Sequence, residues 1–418
     1  MNNYTHYQQK TAGLIRYSCG ILFIAFTFSY LYFLQGEVLA EAQHVYSKGL
    51  TSYNLFVGAI ISTAVLQLVQ WVVAMLSRLP SRWHALSYVP STLLLIIFTD
   101  ATSDVLLHFT FGAWMWAAPA ILLLYVVAVA VIRALYHEDE ASIYGVKTLM
   151  YPNYIILFVL ILIAGSMSHT SDVYHYELKT ERLILEGDYA GATEVGKKSL
   201  KSSRRLTQLR MYALSRLGEL PERIFDYPQY YGAKGLLDVH DTTPYYRVPT
   251  SDICHHLGAF CGKSVRDEKR FYELLYAADT LANEHTNDYF LCTQLLNNDL
   301  KSFLRSLPRF YRYVYEPGVN DSLPPLKPDS LPRAYREALL LAANQRYAYD
   351  GKVVIGHDTL ATFTDTAFIS AYRDYCHIKA SITEERERIN RTHRAYGHTY
   401  WWYHDYSKKA NGIIAPKE

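Results

Sequence analysis

The sequence predicts an all-α protein in two parts, an N-terminal bundle of about five transmembrane helices and then a soluble, helical-repeat-like domain. Two observations carry that reading. Charge is divided unevenly along the 418 residues: positions 1–170 hold 7 basic and 7 acidic side chains, whereas 171–418 hold 34 and 32. The first part also contains long uncharged apolar runs, and the second replaces them with charged residues at helical spacing. Half of all residues are hydrophobic and 19% are charged, which excludes a disordered polymer. A formal net charge of +2 leaves no basic field to attract nucleic acid.

Four runs near 14–34, 55–76, 112–132 and 151–168 approach the ~20 residues needed to cross a bilayer. The first contains one charge, Arg16; the second has only Gln67 and Gln70 as strongly polar side chains; the third ends at Arg133. The first run is too long for a secretory signal and lacks an A-x-A-like exit. A fifth span is expected over 83–99, which is apolar in its second half and contains Pro90, a residue spanning helices tolerate.

Cations set the expected orientation. With five spans, Lys10, Arg16, Arg78, Arg82, Arg133 and Lys147 share one side, and the opposite short loops hold only Lys48. This predicts a cytoplasmic N-terminus and an extracytoplasmic domain over 171–418. The prediction hinges on 83–99, because an even span count would reverse it.

The soluble half reads as helices joined by recurring turns. Leu185-Glu186-Gly187-Asp188-Tyr189, Leu217-Gly218-Glu219-Leu220 and Leu296-Asn297-Asn298-Asp299-Leu300 each place Gly or Asn before an acid. That order suits a helix C-terminus followed by an N-cap. The pattern over 172–226 and 270–306 resembles the tetratricopeptide repeat, with a small residue such as Ala192 in the second helix. The tetratricopeptide period of 34 and its Trp and Pro positions are absent. Two segments break the helices: the proline-rich 316–332, and 226–250, which is rich in tyrosine. Val353-Val354-Ile355-Gly356 suggests a short strand.

Gly218–Pro228 (GELPERIFDYP), the Asn297–Phe303 turn, Leu331–Leu340 (LPRAYREALL) and Tyr396–Tyr403 (YGHTYWWY) carry a further resemblance. With these segments the chain resembles a family of uncharacterised multi-pass bacterial membrane proteins with a tetratricopeptide-like C-terminal domain. The resemblance implies an inner-membrane location and assigns no activity.

Asp100, Asp104 and His108 fall at i, i+4 and i+8, one face of a helix, and are the candidate ion or proton path. A wetted outer loop explains them more simply, because the apolar run ends at Thr99. Thirty-seven tyrosines against 17 phenylalanines favour half-wet recognition surfaces, with Tyr230, Tyr231, Tyr245, Tyr246, Tyr311 and Tyr313 as candidates. Cys254 and Cys261 are near enough in sequence to form a disulfide. With His255 and His256 they do not complete a zinc-site spacing, so no metal and no cofactor is expected. His393, His398, His404 and Asp405 gather beside Trp401 and Trp402, either lining a pocket or docking a final helix. G-x-S-x-G, P-loop and GxGxxG motifs are absent from the sequence.

The expected function is therefore non-catalytic: a bilayer-embedded anchor displaying a domain that binds a protein or peptide and no nucleic acid. Two other readings are a transporter or channel component, with Gln67 and Gln70 beside Asp100, and a membrane-bound enzyme of cell-envelope metabolism.

Overall fold

A computed structural model describes residues 2–100, 112–135, 146–167, 171–239, 246–258, 268–277, 283–311, 330–346, 352–355, 358–362 and 365–410. The chain divides into two compact units, Met1–Leu178 and Lys179–Glu418. Among the described residues there are 18 α-helices and one two-stranded hairpin.

The first unit begins with α1 (Asn2–Ser29), which runs through a π-turn at Tyr30–Leu34 into α2 (Gly36–Ser47). Asn54 caps α3 (Leu55–Ser77) by accepting from the Val57 N–H at 3.1 Å. Then come α4 (Val89–Thr99), α5 (Trp114–Leu135) and α6 (Val146–Met167). Four helical stretches are long and apolar enough to cross a membrane: Ala12–Leu34, Leu55–Ser77, Trp114–Leu135 and Thr148–Met167. At 1.5 Å per residue their lengths come to roughly 30–35 Å, the thickness of a hydrocarbon core. Leu123 is 68% and Leu124 70% exposed on α5, an arrangement that hydrocarbon solvates and water does not.

The expected fifth span differs from these four. Ser81–Tyr88 is a 3-10 helix, and only the 11 residues of α4 are α-helical. The cause is local: Pro80 precedes the segment, and Pro90 sits in the first turn of α4, where a missing N–H costs nothing. Most of the segment packs among α1, α3 and α6, with Phe98 left exposed. Its polar side chains are satisfied inside the bundle. Gln70 donates to Ser87 Oγ at 2.9 Å, Ser91 Oγ to the Leu66 carbonyl at 2.8 Å, and Thr99 Oγ1 to the Leu95 carbonyl at 2.8 Å.

Asn153 of α6 fixes the start of this segment. Fully buried, it accepts from the Ala85 N–H at 2.7 Å and donates to the carbonyls of Ser81 (2.9 Å) and Leu149 (2.7 Å). A 3-10 turn leaves such backbone groups unpaired, and in an apolar bundle each would cost ~1–3 kcal/mol.

The boundary between the units falls within α7 (Asp172–Leu185), and the second unit continues with α8 (Tyr189–Glu194), α9 (Arg204–Leu217) and α10 (Leu220–Arg223). After α11 (Thr250–His256) and α12 (Glu268–Ala277) follow α13 (Glu284–Leu296), α14 (Leu300–Tyr311) and α15 (Arg333–Arg346). Strands β1 (Lys352–Ile355) and β2 (Asp358–Thr362) pair antiparallel, and β1 contains the Val353–Ile355 run expected as a strand. The chain closes with α16 (Thr366–Ser381), α17 (Glu385–Tyr396) and α18 (Tyr400–Ala410).

The three recurring turns share one geometry. Gly187, Gly218 and Asn298 take positive φ of 80°, 72° and 56°. Asp188 and Asp299 then cap the next segment, accepting from Gly191 N at 2.8 Å and Ser302 N at 3.0 Å. The helices that follow have 6, 4 and 12 residues, so the hairpins are not copies of one unit and no repeat is identified. Helix α9 is enclosed on all sides. Even Arg205 and Arg210 are buried, Arg205 against Glu181 at 2.5 Å and Arg210 donating to the Val195 carbonyl at 2.7 Å. The proline-rich segment expected as a loop over 316–332 lies mostly outside the described residues.

Candidate functional site

A cleft of about 190 Å³ opens in the second unit. One wall is the Phe225–Tyr230 stretch, which follows α10. The other is formed by the end of α17 and by α18, through His393, His398, Trp402 and Tyr403. Local sequence explains the first wall: Pro228 lies just after the 3-10 turn Ile224–Asp226, and the chain leaves it extended at Tyr227 (ψ 152°). Gln229 then donates to the Ile224 carbonyl at 2.7 Å and holds the bend.

The tyrosines are anchored by their hydroxyls and offer their rings. Tyr227 donates to the Thr193 carbonyl at 2.8 Å, Tyr230 to the Leu200 carbonyl at 2.8 Å, and Tyr403 to the Leu296 carbonyl at 2.7 Å. Trp402 stacks edge-on against His393 at 4.6 Å, and Phe225 lies 5.2 Å from the Tyr403 ring. Burial lowers the pKa of His393, and burial with the Arg333 charge lowers that of His398, so both imidazoles are neutral at pH 7. Burial pushes the Tyr230 phenol up to about 12, with Tyr231 adding to the effect.

The charged groups at the rim are already paired. Lys197 meets Glu194 at 2.7 Å, and Asp226 meets Arg333 at 2.7 Å. Arg333 also donates to the His398 carbonyl at 3.1 Å, while its backbone N–H donates to Glu222 at 2.7 Å. Ser407 Oγ accepts from Asn298 at 3.0 Å. Behind the cleft, Glu337 of α15 accepts the Tyr400 N–H at 2.6 Å, and Trp401 donates to the Glu337 carbonyl at 2.9 Å. The Glu337 carboxyl oxygen thereby satisfies a backbone N–H at the first turn of α18 that has no partner within its own helix. Neutral aromatic walls with a paired polar rim suit a ring-bearing, uncharged group better than an ion.

The four sequence segments that carry the family resemblance converge here. GELPERIFDYP supplies Phe225–Pro228, YGHTYWWY supplies Gly397, His398, Trp402 and Tyr403, LPRAYREALL supplies Arg333 and Glu337, and the Asn297–Phe303 turn supplies Asn298. Periodicity did not reveal this convergence. The signals were these four motifs, the histidines beside Trp402, and Tyr230.

The other predicted site residues are dispersed. Asp100 ends α4 and accepts from Trp114 Nε1 at 2.7 Å; Asp104 and His108 lie outside the described residues. Gln67 donates to Gln70 at 2.8 Å, and Gln70 passes the chain on to Ser87. Tyr231 donates to the Ser202 carbonyl at 3.3 Å, Tyr246 lies under the Arg205 guanidinium at 3.9 Å, and Tyr311 donates to Asp288 at 2.7 Å. Tyr245 and Tyr313 lie outside the described residues. Cys254 is buried and disulfide-bonded, and Cys261 is outside the described residues. His256 contacts Ser215 at 3.0 Å and the His285 ring at 4.3 Å. Tyr375 and Lys379 of α16 hold Asp405 at 2.5 and 2.6 Å, tying the final helix down.

Apolar helices of membrane length, followed by a helical unit with an aromatic cleft, define a multi-pass membrane protein. The chain belongs to the family of unknown function DUF6057, whose model matches residues 106–261 and 263–407. The cleft lies wholly within those stretches. No curated protein and no solved structure matches the chain.

Proposed function

We propose that this is a membrane-anchored binding protein whose C-terminal unit holds a ring-bearing group of a protein or peptide partner outside the cytoplasm. The observation that carries this reading is the cleft itself: aromatic walls, neutral imidazoles, and a rim whose charges are already neutralised. Such a site binds through stacking and hydrogen bonds, the mode of Tyr- and Trp-rich recognition surfaces.

Three observations support the orientation. The first is the six-to-one cation asymmetry across five crossings. The second is the register of the 81–99 segment on α3. Ser87 bonds Gln70 and Ser91 bonds Leu66, so the two run antiparallel. From Ser91 to Thr99 is about 12 Å of helix, against about 16 Å from Leu66 back to Leu55. The segment thus ends about one turn short of the start of α3, and Asp100 there bonds Trp114, which begins α5. The third is the Cys254 disulfide, a bond that persists in oxidising compartments.

The test is a photo-crosslinking residue substituted for Leu200, which is 56% exposed and lines the cleft, in the full-length protein in intact cells. A discrete polypeptide adduct that disappears on Tyr230→Ala is expected. No polypeptide adduct, or one indifferent to Tyr230→Ala, contradicts the proposal.

A further inference from the structure

A second cavity, of about 700 Å³, lies in the first unit between α1 and α3. Helix α1 lines it at positions 13, 16, 17, 20, 21 and 24, and α3 with its C-cap residue at 67, 70, 71, 74, 75 and 78; Ser77, Leu79 and His84 complete the wall at the arginine end. Both sets follow the same i, i+3, i+4, i+7, i+8, i+11 spacing, so one continuous stripe of each helix faces the groove. Gly13, Gly20 and Ala74 supply the space. An added Cβ at Gly13 would meet nothing within 4 Å.

The groove is graded along its length. One end carries Arg16 and Arg78, both exposed, and among the described residues neither has a carboxylate partner. Arg78 closes α3 with φ 43°, a backbone region that non-glycine residues rarely occupy. Beyond the arginines the walls turn apolar and aromatic through Ile21, Ile24, Trp71 and Met75. The far end is bounded by Gln67 and Gln70, whose amides are committed to each other and to Ser87. From Arg78 to Gln67 is about 16 Å along the helix, roughly half a hydrocarbon core.

We propose that this groove binds one anionic phospholipid, its phosphate held by Arg16 and Arg78 and one acyl chain lying along Ile21, Ile24, Trp71 and Met75. Guanidinium groups pair with phosphate through two parallel hydrogen bonds, and unpaired arginines beside an apolar channel match the two ends of an amphiphile. A soluble phosphate compound satisfies the arginines and leaves the channel unfilled. The site lies N-terminal to the family-matched residues and does not depend on the function proposed for the cleft.

The experiment is native mass spectrometry of the full chain released from detergent, titrated with phosphatidylglycerol or with phosphatidylcholine of the same acyl composition. About tenfold tighter binding of the first bound phosphatidylglycerol is expected. Arg16→Gln with Arg78→Gln should reduce it to the phosphatidylcholine level. Arg133→Gln should leave it unchanged, since Arg133 is in the last turn of α5 and does not line the groove. Gly13→Leu, which keeps both arginines and fills the cavity, should also abolish the preference. Equal binding of the two lipids, an equal loss with Arg133→Gln, or retention by both groove variants overturns the proposal. Displacement by millimolar inorganic phosphate assigns the arginines to a soluble anion and also overturns it.

Discussion

Arg333 meets Asp226 at 2.7 Å, and the same guanidinium nitrogen reaches the His398 carbonyl at 3.1 Å, so one side chain ties together the two walls of the cleft. Its side chain is 25% exposed and that of Asp226 22%, which keeps the pair only partly screened.

The first prediction concerns this pair. Arg333→Ala should lower unfolding stability by about 1–3 kcal/mol, since Asp226 keeps only the longer Arg223 contact at 3.6 Å and the His398 carbonyl loses its donor. In a double-mutant cycle with Asp226→Ala, a coupling of about 1 kcal/mol is expected by chemical denaturation. Strict additivity would remove Arg333 as the link between the walls.

The second concerns Glu337, which is 2% exposed. Burial pushes its carboxyl up to about 8, against the opposing pull of the Tyr400 N–H and of Arg333 and Arg336. The folded state therefore binds more protons than the unfolded chain between about pH 4.5 and 8, and stability falls as pH rises through that window. His256, lowered to about 4 by burial, has the opposite sign, but its window closes near pH 6.5. Between pH 6.5 and 8 the wild type should lose about 1.5 kcal/mol relative to Glu337→Gln, which keeps the acceptor for Tyr400 and cannot ionise. Parallel pH profiles of the two proteins would refute the shift.

The third concerns Asn153. Asn153→Ala leaves the Ala85 N–H and the Ser81 carbonyl without their partner inside the bundle. A loss of about 2–4 kcal/mol is expected, read as a lower thermal midpoint in detergent. Asn153→Ala should hurt more than Ser166→Ala, whose hydroxyl is exposed and bonds only within its own helix at 3.1 Å. Equal effects would count against the Asn153 clasp.

The fourth concerns cysteine. Cys19, Cys292 and Cys376 are free, whereas Cys254 is disulfide-bonded. Non-reducing peptide mapping should find Cys254 joined to Cys261. Closing so short a loop contributes ~2–3 kcal/mol, so reductant should lower the unfolding midpoint. Alkylation of Cys254 in unreduced protein taken directly from cells would contradict both the pairing and the oxidising location.

What the sequence made legible follows from solvent. Lipid demands continuous apolarity, so the four exposed spans stand out as runs. The 81–99 segment is solvated mostly by protein instead, and its Ser87, Ser91, Thr92 and Thr99 dilute the signal while Pro80, just before it, and Pro90, within it, reshape the helix. The turns at Gly187, Gly218 and Asn298 were readable because positive φ selects Gly and Asn. Arg205 and Arg210 on α9 are buried because Glu181 and backbone carbonyls receive them from distant sequence, which no local pattern reports. The cleft was hidden for the same reason. Tyr227 and Trp402 are 175 positions apart, and no local spacing reports their meeting.

Extracytoplasmic display of the cleft is the central claim, and a reporter fused after Glu418 tests it most directly. Five crossings with a cytoplasmic N-terminus predict an active alkaline-phosphatase fusion and a dark cytoplasmic fluorescent-protein fusion. An inactive phosphatase with a bright fluorescent fusion would contradict the account, returning the 81–99 segment to a non-crossing role and the cleft to the cytoplasm.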